Sequence, residues 1–240
     1  RPLDLVVTFV SSSGKSVSFS YGDLTMTDDS FPVILAFDRR WVRPTKDADK
    51  GTYDKNVYKD NLKAFRLVCP GDKTDARYLD DVAYMKLEHL PAALEGTPKM
   101  VKGMECGSKS LACVNKGATK AAVFAGVPRV KIEDWVKVGH GRGYKGIGEA
   151  KGYHLASFLK ANFPGCGARD FFMFIGCDGY RSIFSGAEIF ESQAGPSMMI
   201  IDEADGKEPE GGLTLGPVKD YYVDRCIHGL SHVAIIPPVQ

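Results

Sequence analysis

The stretch Phe171-Phe172-Met173-Phe174-Ile175-Gly176-Cys177-Asp178-Gly179-Tyr180, continued by RSIFSGAEIF over 181–190, decides how this chain reads. Phe171 to Ile175 is a continuous apolar run bounded by turn residues, the pattern of a buried strand. Asp178-Gly179 supplies the positive φ that a tight hairpin turn needs. Phe184-Ser185 and the acidic-apolar pair Glu188-Ile189 follow.

The same order occurs near the start of the chain. Sliding residues 3–44 by 165 positions onto 168–209 needs no gap. Phe9 then meets Phe174, Gly14 meets Gly179, Phe19-Ser20 meets Phe184-Ser185, Asp23-Leu24 meets Glu188-Ile189, and Pro44 meets Pro209. Each copy reads apolar strand, glycine turn, alternating strand, acidic-apolar pair, apolar strand and long polar loop. Each ends in a strand pair, 64–68 with 82–87 and 218–223 with 232–236. A duplicated supersecondary unit is the physical reading of that order. Residues 122–167 have no counterpart ahead of the first copy. Either polypeptide upstream of Arg1 supplies one, or residues 93–121 complete the first unit.

Between these landmarks, His154 to Phe163 sets Leu155, Phe158, Leu159 and Phe163 on one helical face, stopped by Pro164-Gly165. Further strands are expected at 3–10, 32–37, 135–138 and 198–201. Residues 38–61 read as a long charged loop, and the glycine-rich segment 139–152 as another. The expected organisation is a partial or diverged repeat unit over 1–92, a linker with a cysteine pair over 93–121, and a full unit over 122–240. The fold class is α+β and β-rich, with a partial internal repeat.

The 240 residues carry a net charge of +1, with 44% hydrophobic and 25% charged side chains. That balance predicts a globular core and gives no basic surface for a nucleic-acid partner. No apolar run reaches the roughly 18 residues of a membrane span. Six cysteines include no Cys-x-x-Cys, so zinc-ribbon and thioredoxin-type chemistry lack support. Cys106 and Cys113 are close enough in a polar stretch to close a small disulfide loop. A chain that opens on Arg1 without a leader fits an exported protein, periplasmic or secreted, whose leader has been removed.

Three further stretches carry a family resemblance. Tyr144-Lys145-Gly146-Ile147 leads to Gly152-Tyr153-His154-Leu155 and Phe158-Leu159. Met199 to Ile201 leads through Asp205-Gly206 to Gly216-Pro217-Val218. Phe65 to Val68 with Pro70-Gly71 reads as a first-copy version of that last segment. Together with Phe172–Ile175 and Asp178-Gly179-Tyr180, these resemble the oxidoreductase molybdopterin-binding domain, the sulfite oxidase-like fold. The resemblance implies a pterin-held molybdenum with one cysteine ligand, performing oxygen-atom or electron transfer. It places Arg142, Lys145, Asp178, Tyr180 and Arg181 along the pterin cleft. Two departures count against the cofactor. No cysteine stands ahead of the small helix where the family's metal ligand belongs. Arg225 to His232 replaces the family's late glycine-and-lysine segment.

Two functional readings follow. The first is an extracytoplasmic binding or structural module that has lost the molybdenum site and carries no cofactor. The second is a molybdopterin-dependent oxidoreductase or electron-transfer subunit. A protein partner or self-association suits either.

The remaining motifs are weaker. Gly141 to Gly146 fits GxGxxG, yet a dinucleotide site needs a helix opening there, and Gly148 and Gly152 would lie inside it. His228 and His232 have metal-ligand spacing on a helix. Gly229 and the β-like run from His232 instead favour one solvent-facing and one packed histidine. The carboxylates at Asp28-Asp29, Asp80-Asp81 and Asp202, Glu203 and Asp205 read as solvated loop charge.

Overall fold

A computed structural model describes residues 3–27, 32–40, 43–44, 53–54, 59–90, 97, 110–139 and 143–236. The Val- and Phe-rich start forms β1 (Leu5–Ser11), buried at every position. A turn through Gly14, at φ +82°, returns the chain as β2 (Ser16–Ser20). Ser20 caps the short helix α1 (Tyr21–Thr25), its Oγ accepting from the Asp23 amide at 3.0 Å. Then come β3 (Ile34–Arg40), the two-residue pair β4 (Arg43–Pro44) and β5 (Tyr53–Asp54), β6 (Lys59–Val68) and β7 (Leu79–His89). The first sheet runs β2-β1-β7-β6-β3, antiparallel throughout.

The second part opens with the hairpin β8 (Ala112–Asn115) and β9 (Ala118–Ala121). A long ribbon follows, β10 (Arg129–Gly139) with β11 (Gly143–His154), and runs straight into α2 (Leu155–Asn162). Next are β12 (Phe171–Gly176), β13 (Arg181–Ser185), α3 (Gly186–Phe190), β14 (Met198–Ala204), β15 (Thr214–Pro217) and β16 (Leu230–Ile236). They form two sheets, β13-β12-β16-β8-β9 and β10-β11-β14-β15, with β16 and β8 parallel. The architecture is β-rich α+β.

The hairpin–helix β12-β13-α3 has the order and turn of β1-β2-α1. Gly179 at φ +79° matches Gly14, and Ser185 caps α3 in a full capping box with Glu188. The strand pairing differs between the parts. β6 and β7 pair directly, whereas β15 and β16 belong to different sheets, and β15 bridges to the segment before β16 through Leu215↔Ile227. The largest core packs Leu155, Phe158, Leu159 and Phe163 of the α2 segment on Phe172, Phe174, Phe184, Ile200, Leu215 and Val233. A smaller core holds Val7, Phe9, Phe19, Leu67, Leu79 and Val82. A third joins the parts, setting Val6 and Leu90 against Phe171, Met173, Ile175 and Ile183.

Three expectations change. The glycines of 143–152 lie in a strand, and the GxGxxG stretch enters β11 without opening a helix. Gly152 serves close packing there: a Cβ would stand 2.1 Å from the Ile200 carbonyl oxygen. Residues 112–121, read as the end of a linker, form the hairpin β8–β9 on β16. Cys113 is a free thiol whose side chain packs from β8 into the main core, so the expected Cys106–Cys113 bridge is not formed. Cys106 itself lies outside the described residues.

The two parts touch through reciprocal contacts. Thr27 bridges to Asp220 and Ser192 to Asp72. The Tyr221 amide donates to the Met26 carbonyl at 2.7 Å, and the Lys73 amide to the Glu191 carbonyl at 2.8 Å. The loop ahead of each final strand thus holds the helix end of the other part. Each loop also carries a buried arginine. Arg77 pairs with Asp72 and Asp23, with its guanidinium 4.6 Å from the centre of the Phe19 ring. Arg225 pairs with Asp220 and Glu188, at 4.3 Å from the Phe184 ring. Ser20 Oγ lies 2.9 Å from Glu188 Oε2, tying the two clusters together.

Burial pushes the Glu188 carboxyl up to about 8 against the pull of Arg225, and Asp220 up to about 6. Unfolded, these carboxyls ionise near 4.5 and 3.8. Folding therefore takes up protons between those values and the folded ones, and stability falls as pH rises through that window. Glu188→Gln, which keeps the neutral shape, is expected to gain on the parent by about 1 kcal/mol per pH unit from pH 5 to pH 8. Urea unfolding at those two pH values checks it. A constant difference would mean that Glu188 ionises in the folded protein.

Candidate functional site

Three of the residues expected along a cleft, and one histidine of the expected metal pair, are brought together. Lys145 comes from β11, Asp178 and Tyr180 from the β12–β13 turn, and His228 from the segment leading into β16. With Gly139, Val223, Asp224 and Cys226 they line a cleft of about 350 Å³. The Asp178 carboxylate accepts from the Tyr180 amide at 2.9 Å, which closes the turn. The Tyr180 hydroxyl donates to the Asp224 carbonyl at 2.6 Å and pins the facing loop. His228 opens into a second lobe of about 450 Å³, with Trp135, Lys137, Ile201, Pro209, Glu210 and Thr214. Both volumes suit a small ligand.

The electrostatics of the lobes differ. Burial, and next the Lys145 charge, push the His228 imidazole below its usual range, so it is neutral at neutral pH. Lys137 donates to Asp205 at 2.7 Å and lies 4.9 Å from the centre of the Trp135 ring. The Thr214 hydroxyl is buried in the second lobe with no hydrogen-bond partner. The cleft thus offers a lysine cation and a neutral imidazole beside an aromatic-lined recess. That set can hold a small polar molecule by charge and hydrogen bonds.

Other expected residues fall elsewhere. Arg142 lies outside the described residues. Arg181 follows Tyr180 into β13, its Nε donating to the Gly179 carbonyl at 3.3 Å. His232 sits in β16, its Nδ1 2.9 Å from Ser231 Oγ. Burial keeps His232 neutral too. Among the described residues no three His, Cys, Asp or Glu side chains form a metal-binding group. His232 lies within β16 and His228 in the turn before it, so the pair lacks the helical spacing on which a shared metal depended. No helix among the described residues is long and apolar enough to cross a membrane.

The thiols test the fit of a pterin-held molybdenum. A cysteine that holds the metal has to reach the cleft, and the metal itself then strips its proton. Burial pushes Cys69 up to about 12 and Cys113 up to about 11, and raises Cys166 and Cys226 as well. Cys226 borders the cleft but is only 5% exposed. Cys177 is disulfide-bonded. Among the described cysteines Cys226 alone lines the cleft, and its burial leaves the described thiols a poor fit to that group.

The buried arginine clusters escape a residue-by-residue search for sites. Their signal is in the repeat: Phe-Ser-x-x-Asp/Glu at 19–23 and 184–188, then Asp-x-x-x-x-Arg at 72–77 and 220–225. The chain matches no protein-family model and no curated protein.

Proposed function

We propose that this chain is a binding module of an exported protein, built from two copies of a sulfite oxidase-like unit, with the molybdenum grip lost from the later copy. The observation that carries the reading is the state of the thiols beside a cleft of ligand-sized volume. Lys145, His228 and Asp178 line that cleft, while every described free cysteine is buried. The repeated hairpin–helix and the repeated arginine clusters support duplication. The Cys177 disulfide supports an oxidising compartment. In this reading Lys145 and His228 hold the polar end of a small ligand, and the Trp135 recess receives its apolar part.

Elemental analysis of protein from its natural source tests the loss of the metal. Molybdenum and tungsten are expected to be far below one per chain, with no pterin fluorescence after oxidative release. Stoichiometric metal would reinstate the oxidoreductase reading. Maleimide treatment of the native protein gives a second check. Cys69, Cys113, Cys166 and Cys226 are expected to react only after unfolding; rapid labelling of Cys226 would reveal an accessible thiolate in the cleft.

A further inference from the structure

Among the described residues, the first sheet leaves bare a surface that its counterpart covers. Residues directly opposite each other in an antiparallel ladder share a face. Leu87 lies opposite Val7, Met85 opposite Phe9, Leu35 opposite Leu67 and Phe65 opposite Val82. Val7, Phe9, Leu67 and Val82 are buried core residues. Their partners are not: Leu35 is 44% exposed, Phe65 48%, Met85 51% and Leu87 56%. The inner half of this face is therefore core, and the outer half is apolar surface.

In the later part the equivalent pairs are Phe172 with Ile235, Phe174 with Val233, and Ile200 with Leu215. There Val233 and Ile200 are fully buried, because the α2 segment lays Leu155, Phe158, Leu159 and Phe163 over them. The strand edges match as well. β14, the equivalent of β3, pairs on its outer side with β11, through Tyr153↔Ile200 and His154↔Met199. β3 ends its sheet. One strand–helix element, β11 running into α2, closes both the edge and the face in the later part. The hairpin β8–β9 does not play that role in the first part, since it pairs with β16.

We infer that the edge of β3 and the apolar face of Leu35, Phe65, Met85 and Leu87 are a docking surface for a strand–helix segment of polypeptide from outside these 240 residues. Its strand adds to β3, and its helix presents apolar side chains at i, i+3 and i+4, as α2 does with Leu155, Phe158 and Leu159. The surface is independent of the cleft and of any ligand there.

Photo-cross-linking in the natural host tests this. The full chain carries p-benzoylphenylalanine at Phe65 or Met85, with Tyr221, 56% exposed on the other part, as the control position. Cross-linked peptides are then sequenced. The expected products from Phe65 and Met85 come from one segment, outside residues 1–240, with an alternating strand pattern followed by an amphipathic helix. Leu35→Asp combined with Leu87→Asp should reduce their yield about tenfold or more. The thermal midpoint of that variant should stay near the parent's, because both side chains are already half exposed. Cross-links to a second copy of this sheet, to residues 91–109, to lipid, or no yield above the Tyr221 control would each overturn the inference.

Discussion

Arg225→Met is expected to destabilise the protein by about 3–5 kcal/mol at neutral pH, the usual loss when one partner of a buried ion pair is removed. Arg225 is fully buried, donates from Nε and Nη2 to Asp220 at 2.6 and 2.7 Å, and pairs with Glu188. Met fills much of the volume but leaves Asp220 without its cation. The loss should shrink below pH 5, where Asp220 and Glu188 are both protonated. Denaturant unfolding at pH 5 and pH 7.5 measures the two values. A loss under about 1 kcal/mol at neutral pH would mean that the cluster does not hold the loop before β16. Arg77→Met should cost a similar amount at neutral pH, since Asp23 and Asp72 enclose it in the same way.

Gly152→Ala is expected to cost about 3 kcal/mol, the upper end for overpacking a tight site. An added Cβ would meet the Ile200 carbonyl oxygen at 2.1 Å, its carbon at 2.7 Å and the Ile201 Cα at 2.8 Å. All three are backbone atoms of β14, so relief requires β11 and β14 to part. That movement would also lift Leu155, the first residue of α2, from the main core. Gly167→Ala is the control, because no atom lies within 4 Å of its added Cβ. Thermal unfolding of the two variants compares them. Equal midpoints would show that β11 and β14 separate easily at this point.

The order of the elements was legible because each carries a local signature. Phe171 to Ile175 could only be a buried strand, and Asp178-Gly179 a turn. The face of α2 follows from the spacing of Leu155, Phe158, Leu159 and Phe163. The segment 139–152 misled for an equally physical reason. Glycine weakens a strand on average, but a glycine needed for close approach of two backbones reads no differently from one in a loop. The cleft was half legible. Lys145, Asp178, Tyr180 and His228 were in view as candidates, whereas Trp135 and Thr214 joined them only through β10 and β15.

The amino-acid order by itself determined the repeated strand–turn–strand–helix units and the helix that covers the later one, since turns, caps and apolar periodicity act over a few residues. Only the tertiary structure decided which charges are buried together. Asp23 and Arg77 are 54 positions apart, Glu188 and Arg225 are 37 apart, and Ser20 reaches Glu188 across 168. It also decided that, among the described residues, one sheet face is covered and its counterpart bare. Burial is a property of what packs opposite a side chain, and that neighbour stands far away in the chain.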